Sequence, residues 1–386
     1  MTEKLRDLLH DRAAGVDFAP DDLDALVRAG DRRVRRRRGL AAGGALAALA
    51  VAAALVVPAL SGGGDAAPEP TDNRTDTATE TLPNGGVSWA TSSVILAGDD
   101  ALDVGHEVSV YVATTHGYVF ADPEGTVYSV VDGKVDAIGR TDESEPHLVA
   151  DDGSSLVGWV DFSSGPAPAF MVFDQSTEAE PAFAGGETTD DMSAAAASAD
   201  PAYFYAIDDG TAYWRDARGA VAVDLETQDT ELVDPDAVDG LDILDVQNGV
   251  IAFRDGKGVA VGTTRETAVQ LPGVVTDSGE LSPQGTAFAF YVDVPDPENG
   301  GHTEARVVGV DGSAVPLDIA SATLSFAVPY GWLDDDTVAV LSSGPIEARY
   351  QSLLGCDVAT GECEMTVENA GAARAQIVLP NGRLLR

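Results

Sequence analysis

Short apolar runs separated by turn residues make up most of this chain. From about residue 87 onward, segments such as SSLVGWVDF, GVIAFRDG and TAFAFYVDV stand between Asp-Gly, Asn-Gly and Pro-x-Gly turns. Runs of this kind, rich in β-branched and aromatic residues, are typical of β-strands. Helical periodicity is nearly missing, and the Ala-rich segment 192–199 is the one helix-prone insert. The pattern predicts an all-β domain over 87–386.

The predicted strands also repeat. A strand end followed by Asp or Gly and a small polar turn recurs six times between about 106 and 370. The anchors are Asp132, Asp174, Asp224, Gly262, Asp311 and Asp357, separated by 42, 50, 38, 49 and 46 residues. A mean of about 45 residues is the length of a four-stranded propeller blade, and a β-sandwich would not explain the repeat. We expect a β-propeller of six or seven four-stranded blades, the seventh a composite of the strand-like segments 89–98 and 375–385.

A membrane segment is predicted ahead of this domain. Residues 39–60 form an uncharged run of 22 residues rich in Ala and Leu. As a helix it would be about 33 Å long, enough to cross a bilayer core. Six arginines between 32 and 38 precede it, so the positive-inside rule keeps that end in the cytoplasm and predicts that the bulk of the chain is extracytoplasmic. The alternative is a secretory signal that is cleaved, although its segments are long for that class.

The segment 1–38 is predicted to be a short helical cytoplasmic head. Leu23, Leu26 and Val27 share one face of its second helix. Two short helices cannot bury a core of their own, so the simplest interpretation is a segment that sets membrane topology. The alternative is that these three residues dock a cytoplasmic regulatory partner.

A spacer and a strong acidic imbalance complete the predicted organisation. Residues 61–86 are rich in Gly, Pro, Thr and acid and predict a flexible linker. The whole chain carries 64 acidic and 23 basic residues, a formal charge of −41. Such a surface repels nucleic acid, which excludes that class of partner, and it attracts cations and basic partners.

The two cysteines are predicted to pair. Cys356 and Cys363 flank the turn-forming sequence DVATGE, with β-prone residues on both sides. In an oxidising compartment, two facing positions of such a hairpin are expected to form a disulfide. The pair lacks the further cysteine or histidine ligands of a zinc site.

These features together resemble the single-pass actinobacterial membrane proteins that carry an extracytoplasmic WD-repeat-like β-propeller. The resemblance rests on the Arg-rich stub, the Ala/Leu-rich span, the Thr/Pro spacer and a degenerate propeller with CDVATGEC near its end. It implies a location in the cell envelope and no specific activity. Some proteins of this kind accompany extracytoplasmic-function sigma factors, which keeps a sensor role as an alternative.

The common catalytic signatures are not found in the sequence. It contains no G-x-S-x-G elbow, H-E-x-x-H helix, P-loop or dinucleotide glycine motif, and no Asp-rich calcium loop. His106, His116, His147 and His302 are expected to be solvated turn residues. The four tryptophans are expected in core or blade-packing positions, with a ligand-stacking role open for one or two.

The sequence therefore predicts a binding or scaffold module for an unknown envelope protein or glycan, with no cofactor, metal or catalytic residue. A propeller hydrolase acting on glycan or peptide is a second alternative, because propeller glycosidases use carboxylates around the central shaft.

Overall fold

The computed structural model describes residues 87–98, 100–151, 153–161, 163, 168–177, 182–183, 202–216, 218–237, 242–256, 258–295, 301–319, 326–344, 350–372 and 377–383. These residues lie in one unit, Thr75–Arg386. The predicted head 1–38 with its Leu23, Leu26 and Val27 face, the span 39–60, the spacer 61–86 and the helix-prone insert 192–199 lie outside them. Within the described ranges, no helix is long and apolar enough to cross a membrane.

The described residues are all-β, as predicted, and their strands group into seven sheets that we label A to G. Sheet A contains β1 (Ser88–Thr91), β2 (Val94–Ala97) and β3 (Asp100–Asp103). Sheet B contains β4 (Val110–Thr114), β5 (Gly117–Ala121), β6 (Thr126–Val131) and β7 (Lys134–Arg140). Sheet C contains β8 (Val149–Ala150), β9 (Leu156–Asp161), β10 (Ala169–Asp174) and β11 (Ala182–Phe183). Sheet D contains β12 (Tyr203–Asp208), β13 (Thr211–Asp216), β14 (Gly219–Asp224) and β15 (Thr230–Asp234).

The remaining three sheets follow in chain order. Sheet E contains β16 (Ile243–Gln247), β17 (Val250–Asp255), β18 (Gly258–Gly262) and β19 (Val269–Val275). Sheet F contains β20 (Glu280–Leu281), β21 (Ala287–Val294), β22 (His302–Gly309) and β23 (Ala314–Val315). Sheet G contains β24 (Phe326–Trp332), β25 (Thr337–Ser343), β26 (Tyr350–Asp357) and β27 (Cys363–Ala372). A single parallel bridge between Thr303 and Phe326 joins sheets F and G edge to edge.

Sheets B to G share one topology. In each of them four consecutive strands pair antiparallel in chain order, which requires only short hairpin connections. Sheet A differs, because its β1 pairs on the free side with a distant segment through an antiparallel bridge between Ala90 and Val378. The Ala90 amide donates to the Val378 carbonyl at 2.8 Å, and the Val378 amide donates back at 3.0 Å. The two strand-like end segments thus meet in one sheet, as the sequence predicted.

The core consists of seven hydrophobic clusters among the described residues, each shared by two neighbouring sheets. Phe170 of sheet C packs on Trp214 of sheet D, for example, with ring centroids 4.7 Å apart. Another cluster joins Trp89 of sheet A to Tyr330 and Leu341 of sheet G. Since successive clusters join A to B and so on through G, and the last returns to A, the sheets form a closed ring.

The six repeated anchors occupy equivalent places in this ring. Each lies at the hairpin between the third and fourth strands of its sheet, in sheets B to G. The recurrent aspartates act as turn formers, as expected from the sequence. Asp224 accepts from the amides of Glu226 and Thr227, at 2.9 and 2.7 Å. Asp357 likewise accepts from the amide of Thr360 at 2.7 Å.

The predicted disulfide is present. Cys356 and Cys363 face each other across the β26–β27 hairpin, with Cα atoms 4.0 Å apart. Cys356 is fully buried in the cluster between sheets F and G. The bond therefore closes a short local hairpin at the edge of the core.

Candidate ligand site in the axial cavity

A cavity of about 1020 Å³ lies where the first strands of the sheets converge. Its wall takes residues from β4, β8, β12, β16, β20 and β24, and from Val87, Ser88 and the segment 380–383 at sheet A. A volume of this size is at the upper end of what small-molecule sites occupy. It is formed because each first strand turns one edge to the ring axis while its side chains pack against the adjacent sheets.

The cavity wall is acidic. Among the described residues that line it, five are carboxylates and one is a guanidinium, namely Asp100, Asp245, Glu280, Asp334, Asp335 and Arg383. Asp100, Asp334 and Asp335 are exposed, whereas Asp245 and Glu280 are half-buried. Clustering of one charge sign in a concave wall strengthens the local field and concentrates counter-ions there.

The single guanidinium arrives on a strap that crosses the first strands. We define the strap as residues 380–383, which follow the strand-like segment 377–379. Asn381 forms an antiparallel bridge with Val112 of sheet B. The Gly382 amide donates to the Tyr111 carbonyl, and the Leu148 amide donates to the Gly382 carbonyl, both at 3.0 Å. The strap thus lies against sheets B and C inside the ring.

Glycine is required at position 382. Its φ is +65°, and an added Cβ would lie 2.0 Å from the Leu148 carbonyl oxygen. A side chain there would collide with sheet C backbone and strain the strap backbone as well. Gly382 therefore fixes how deeply the strap enters and where Arg383 is presented.

Arg383 reaches across the axis to sheets D, E and F. Its Nη2 donates to the Leu244 carbonyl at 3.3 Å. Burial lowers the pKa of Arg383, but Tyr203, Glu280 and Asp245 outweigh that effect, and the pKa is raised above its usual value. The guanidinium is therefore charged and is held by the negative wall opposite the strap.

Glu280 and Asp245 are positioned by the backbone of sheets E and F. The Leu281 amide donates to Asp245 Oδ2 at 2.7 Å. The Trp332 indole Nε1 donates to the Glu280 carbonyl at 3.4 Å, which holds the half-buried ring at the cavity wall. These bonds fix the Asp245 carboxylate and the Trp332 ring, and Glu280 lies between them in the chain of contacts through its backbone.

Tyr330 is a wall residue whose hydroxyl is buried in the packing between sheets A and G. The residue lines the cavity and is only 3% exposed. Its hydroxyl has no hydrogen-bond partner in the described part of the chain. Burial chiefly, and the nearby Glu280 in addition, raise the pKa of Tyr330, so the hydroxyl keeps its proton at neutral pH. A buried hydroxyl without a partner is uncommon in folded proteins and calls for an explanation.

His147 is less exposed than expected. Its ring stacks on Tyr203 with centroids 4.7 Å apart, and its Nε2 is buried without a partner among the described residues. Burial and the charge of Arg383 lower the pKa of His147 well below its usual value, so the ring is neutral. His147 is therefore a half-buried, packed residue and not a solvated one, because its ring packs on Tyr203.

The tryptophans divide into two groups, as the sequence analysis allowed. Trp89, Trp159 and Trp214 are buried between sheets, whereas Trp332 lines the cavity. Sequence reasoning did not select Asp245, Glu280, Tyr330 or Arg383. Asp245, Glu280 and Tyr330 lie on first strands and Arg383 lies on the strap, so their common location becomes recognisable only after the strands have been assigned to sheets. Within the described ranges, no group of three His, Cys, Asp or Glu residues could hold a metal ion.

Comparison with known proteins shows the fold and nothing narrower. No protein-family model and no curated protein matches the chain. A prolyl endopeptidase structure is similar over 78% of this chain and 49% of its own, with 11% identity and a TM-score of 0.51. A second similar structure is the β-propeller domain of the Trilobed protease from Pyrococcus furiosus, described as having an open velcro topology. The similarity extends over 74% of this chain and 99% of that domain, with 10% identity and a TM-score of 0.46. TolB from Acinetobacter baumannii matches 59% of this chain at 14% identity, with a TM-score of 0.39, and the chain spans 62% of its length. The neighbours are β-propeller proteins, and the described part of this chain is an all-β propeller module.

Proposed function

We propose that this protein is a non-catalytic binding module of the cell envelope whose ligand enters the axial cavity of a seven-bladed propeller. Sheets A to G are its blades, and the Ala90–Val378 pairing closes the ring. The observation that carries the proposal is the cavity itself, about 1020 Å³ in volume and lined by the first strand of every sheet. In a propeller this is the place where all blades can contribute to one site.

The membrane placement in this proposal rests on the sequence. The run 39–60 and the arginines before it predict one membrane helix with the propeller outside. Cysteine-labelling of the intact cell would test it, using a single cysteine at Ser61 or at Thr2 in a Cys356→Ala/Cys363→Ala background. We expect an impermeant maleimide to label position 61 and not position 2, and the opposite pattern would contradict the topology.

A blocking substitution tests the cavity as the binding site. Ala113 lines the cavity and is exposed, so Ala113→Trp would fill the entrance without disturbing the core. Ala314→Trp is the matched control, because Ala314 is exposed on β23 and does not line the cavity. A thermal-shift screen of peptides, glycan fragments and small metabolites is expected to find compounds that stabilise the wild type and Ala314→Trp but not Ala113→Trp. Equal stabilisation of all three proteins would exclude the cavity as the site.

Hydrolysis is a second candidate, favoured by the carboxylates in the cavity. Asp245 and Glu280 lie on adjoining first strands, and paired carboxylates at the shaft are what propeller glycosidases use. However, the sequence contains none of the common hydrolase motifs, which favours binding over hydrolysis. Release of reducing sugar from envelope glycans, lost in Glu280→Gln, would establish the hydrolase and contradict the binding proposal.

A further inference from the structure

The cavity holds more negative charge than the chain neutralises within it. Five carboxylates face one guanidinium along its wall. The exposed carboxylates Asp334 and Asp335 stand on the turn after β24, and the half-buried Glu280 lies on the neighbouring sheet. An anion would meet repulsion from this wall, whereas a cation would be attracted to it.

An uncharged group favours an organic cation over a bare ion. Trp332 presents a half-buried indole at the cavity wall, and its Nε1 donates to the Glu280 carbonyl at 3.4 Å. An indole face attracts a guanidinium or ammonium group and covers the apolar stem that carries it.

The chain itself supplies a cation of this type. Arg383 lines the cavity together with Glu280 and Asp245, and its Nη2 donates to the Leu244 carbonyl, one residue before Asp245, at 3.3 Å. The strap that carries it is held by one bridge at Asn381 and by the two hydrogen bonds of Gly382. The wall is therefore already suited to a guanidinium, and an external one would meet the same carboxylates.

We propose that the axial cavity selects organic cations, namely a guanidinium or primary ammonium group on an apolar stem, and that Arg383 competes with them for the carboxylates of Glu280 and Asp245. This inference rests on the proposed function of the cavity as a binding site and adds its ligand class. The bound cation lies against Trp332.

Calorimetric titration of the full-length chain in detergent micelles tests the charge requirement. The probes are the capped peptides Gly-Arg-Gly and Gly-citrulline-Gly, which have nearly the same shape but differ in charge, and argininamide as a free cation. We expect the arginine peptide to bind about tenfold or more tightly than the citrulline peptide, and added salt to weaken it. If argininamide binds with the same affinity as the arginine peptide, the ligand is a small free cation. If the arginine peptide binds more tightly than argininamide, the ligand is an arginine side chain of a protein.

Variants test the assigned groups. Glu280→Gln is expected to weaken the arginine peptide by about tenfold, whereas Glu231→Gln, exposed on sheet D away from the cavity, leaves the affinity unchanged. Arg383→Gln is expected to tighten binding severalfold by removing the competitor.

The outcomes separate this inference from the proposed function. Equal affinity for the arginine and citrulline peptides, or unchanged binding in Glu280→Gln, would overturn the cation preference. If neutral or acidic compounds instead bind the wild type and are blocked by Ala113→Trp, the cavity remains the site and only its ligand class is wrong. If Arg383→Gln binds the arginine peptide no more tightly than the wild type, Arg383 is not a competitor.

Discussion

Sheets D and A are assembled differently, because sheet D has four strands from one stretch of the chain whereas sheet A has three strands and a bridge to a distant segment. Sheet D is one continuous stretch from Tyr203 to Asp234. Its first hairpin turns at Asp209-Gly210, both with positive φ, as a tight two-residue turn requires. Sheet A takes three strands from residues 88–103. Its innermost pairing comes from Val378, which is far from these strands along the chain.

The difference shows where the ring depends on distant contacts. Each strand of sheet D is tethered to the next by a short connection, so local pairing brings the sheet together at small entropic cost. In the described structure, the segment 377–379 that completes sheet A is positioned by the bridge to Ala90, by packing against sheets B and G, and by the strap contacts that follow it. Residues 377–383 both close the ring and carry the strap, so closure of the ring and placement of the strap depend on each other.

The largest effect should come from breaking that closure. Val378→Pro removes the amide that donates to Ala90 and places a ring in a buried strand. We expect a loss of more than about 5 kcal/mol in the free energy of unfolding, because closure and strap are lost together. Urea unfolding followed by tryptophan fluorescence measures this free energy. The rate at which a protease cleaves the chain beyond residue 372 is a second measurement of the loss of closure.

Val378→Ala is the matched control for that substitution. It keeps the amide and shortens the side chain, so a loss of about 2 kcal/mol from packing alone is expected. If both variants lose the same amount, the backbone pairing contributes nothing and the comparison between sheets A and D fails.

Core packing within sheet D should give the next largest effect. Trp214 is 2% exposed and stacks on Phe170 of sheet C at 4.7 Å. We expect Trp214→Ala to lower the free energy of unfolding by about 3 to 5 kcal/mol. Trp332→Ala, at the half-buried cavity wall, should cost clearly less in stability while altering ligand binding. Equal losses from the two would contradict the division of the tryptophans into core and cavity groups.

The sequence predicted the parts that are locally determined. Each repeated hairpin, such as that at Asp224 or Asp311, contains its own turn residue and the apolar alternation beside it, so strand spacing could be counted along the chain. The disulfide between Cys356 and Cys363 followed from the same local geometry. Even the pairing of the two end segments was foreseeable, since both were left over once six repeats had been counted.

The cavity could not be predicted in the same way. Glu280, Tyr330 and Arg383 are separated by many residues and come together only through ring closure. Among the many acidic residues of the chain, nothing local distinguishes Glu280 from a solvated surface carboxylate. The packing of His147 could not be predicted for a related reason, because Tyr203, on which its ring stacks, belongs to a different sheet.

The disulfide sharpens the comparison at the level of single hairpins. The hairpin between β26 and β27 is cross-linked, whereas the equivalent β14–β15 hairpin of sheet D relies on the turn at Asp224. Cys356→Ala/Cys363→Ala should cost about 2 to 3 kcal/mol, since so short a loop limits the entropic gain. Alanine is used because Cys356 is fully buried and a serine hydroxyl would need a partner. Chemical unfolding of the wild type with and without reductant gives an independent measure, and an unaffected wild type would argue against stabilisation by the bond.

The smallest effect concerns the turn carboxylate of sheet D. Amide donation from Thr227, the largest cause, lowers the pKa of Asp224 below its ordinary value. The folded state therefore binds fewer protons than the unfolded state, and the stabilisation is complete above the unfolded pKa of about 3.9 and is lost as the pH falls through the folded pKa. Asp224→Asn keeps the acceptor oxygen but not the charge, so its Tm should be slightly lower than that of the wild type at pH 7 and equal to it near the acid end. Glu226→Gln, which removes one negative charge from the same turn, controls for the general repulsion of this acidic chain. A Tm difference between wild type and Asp224→Asn that stays constant from pH 7 to about pH 2.5 would show that the carboxylate charge does not stabilise the turn.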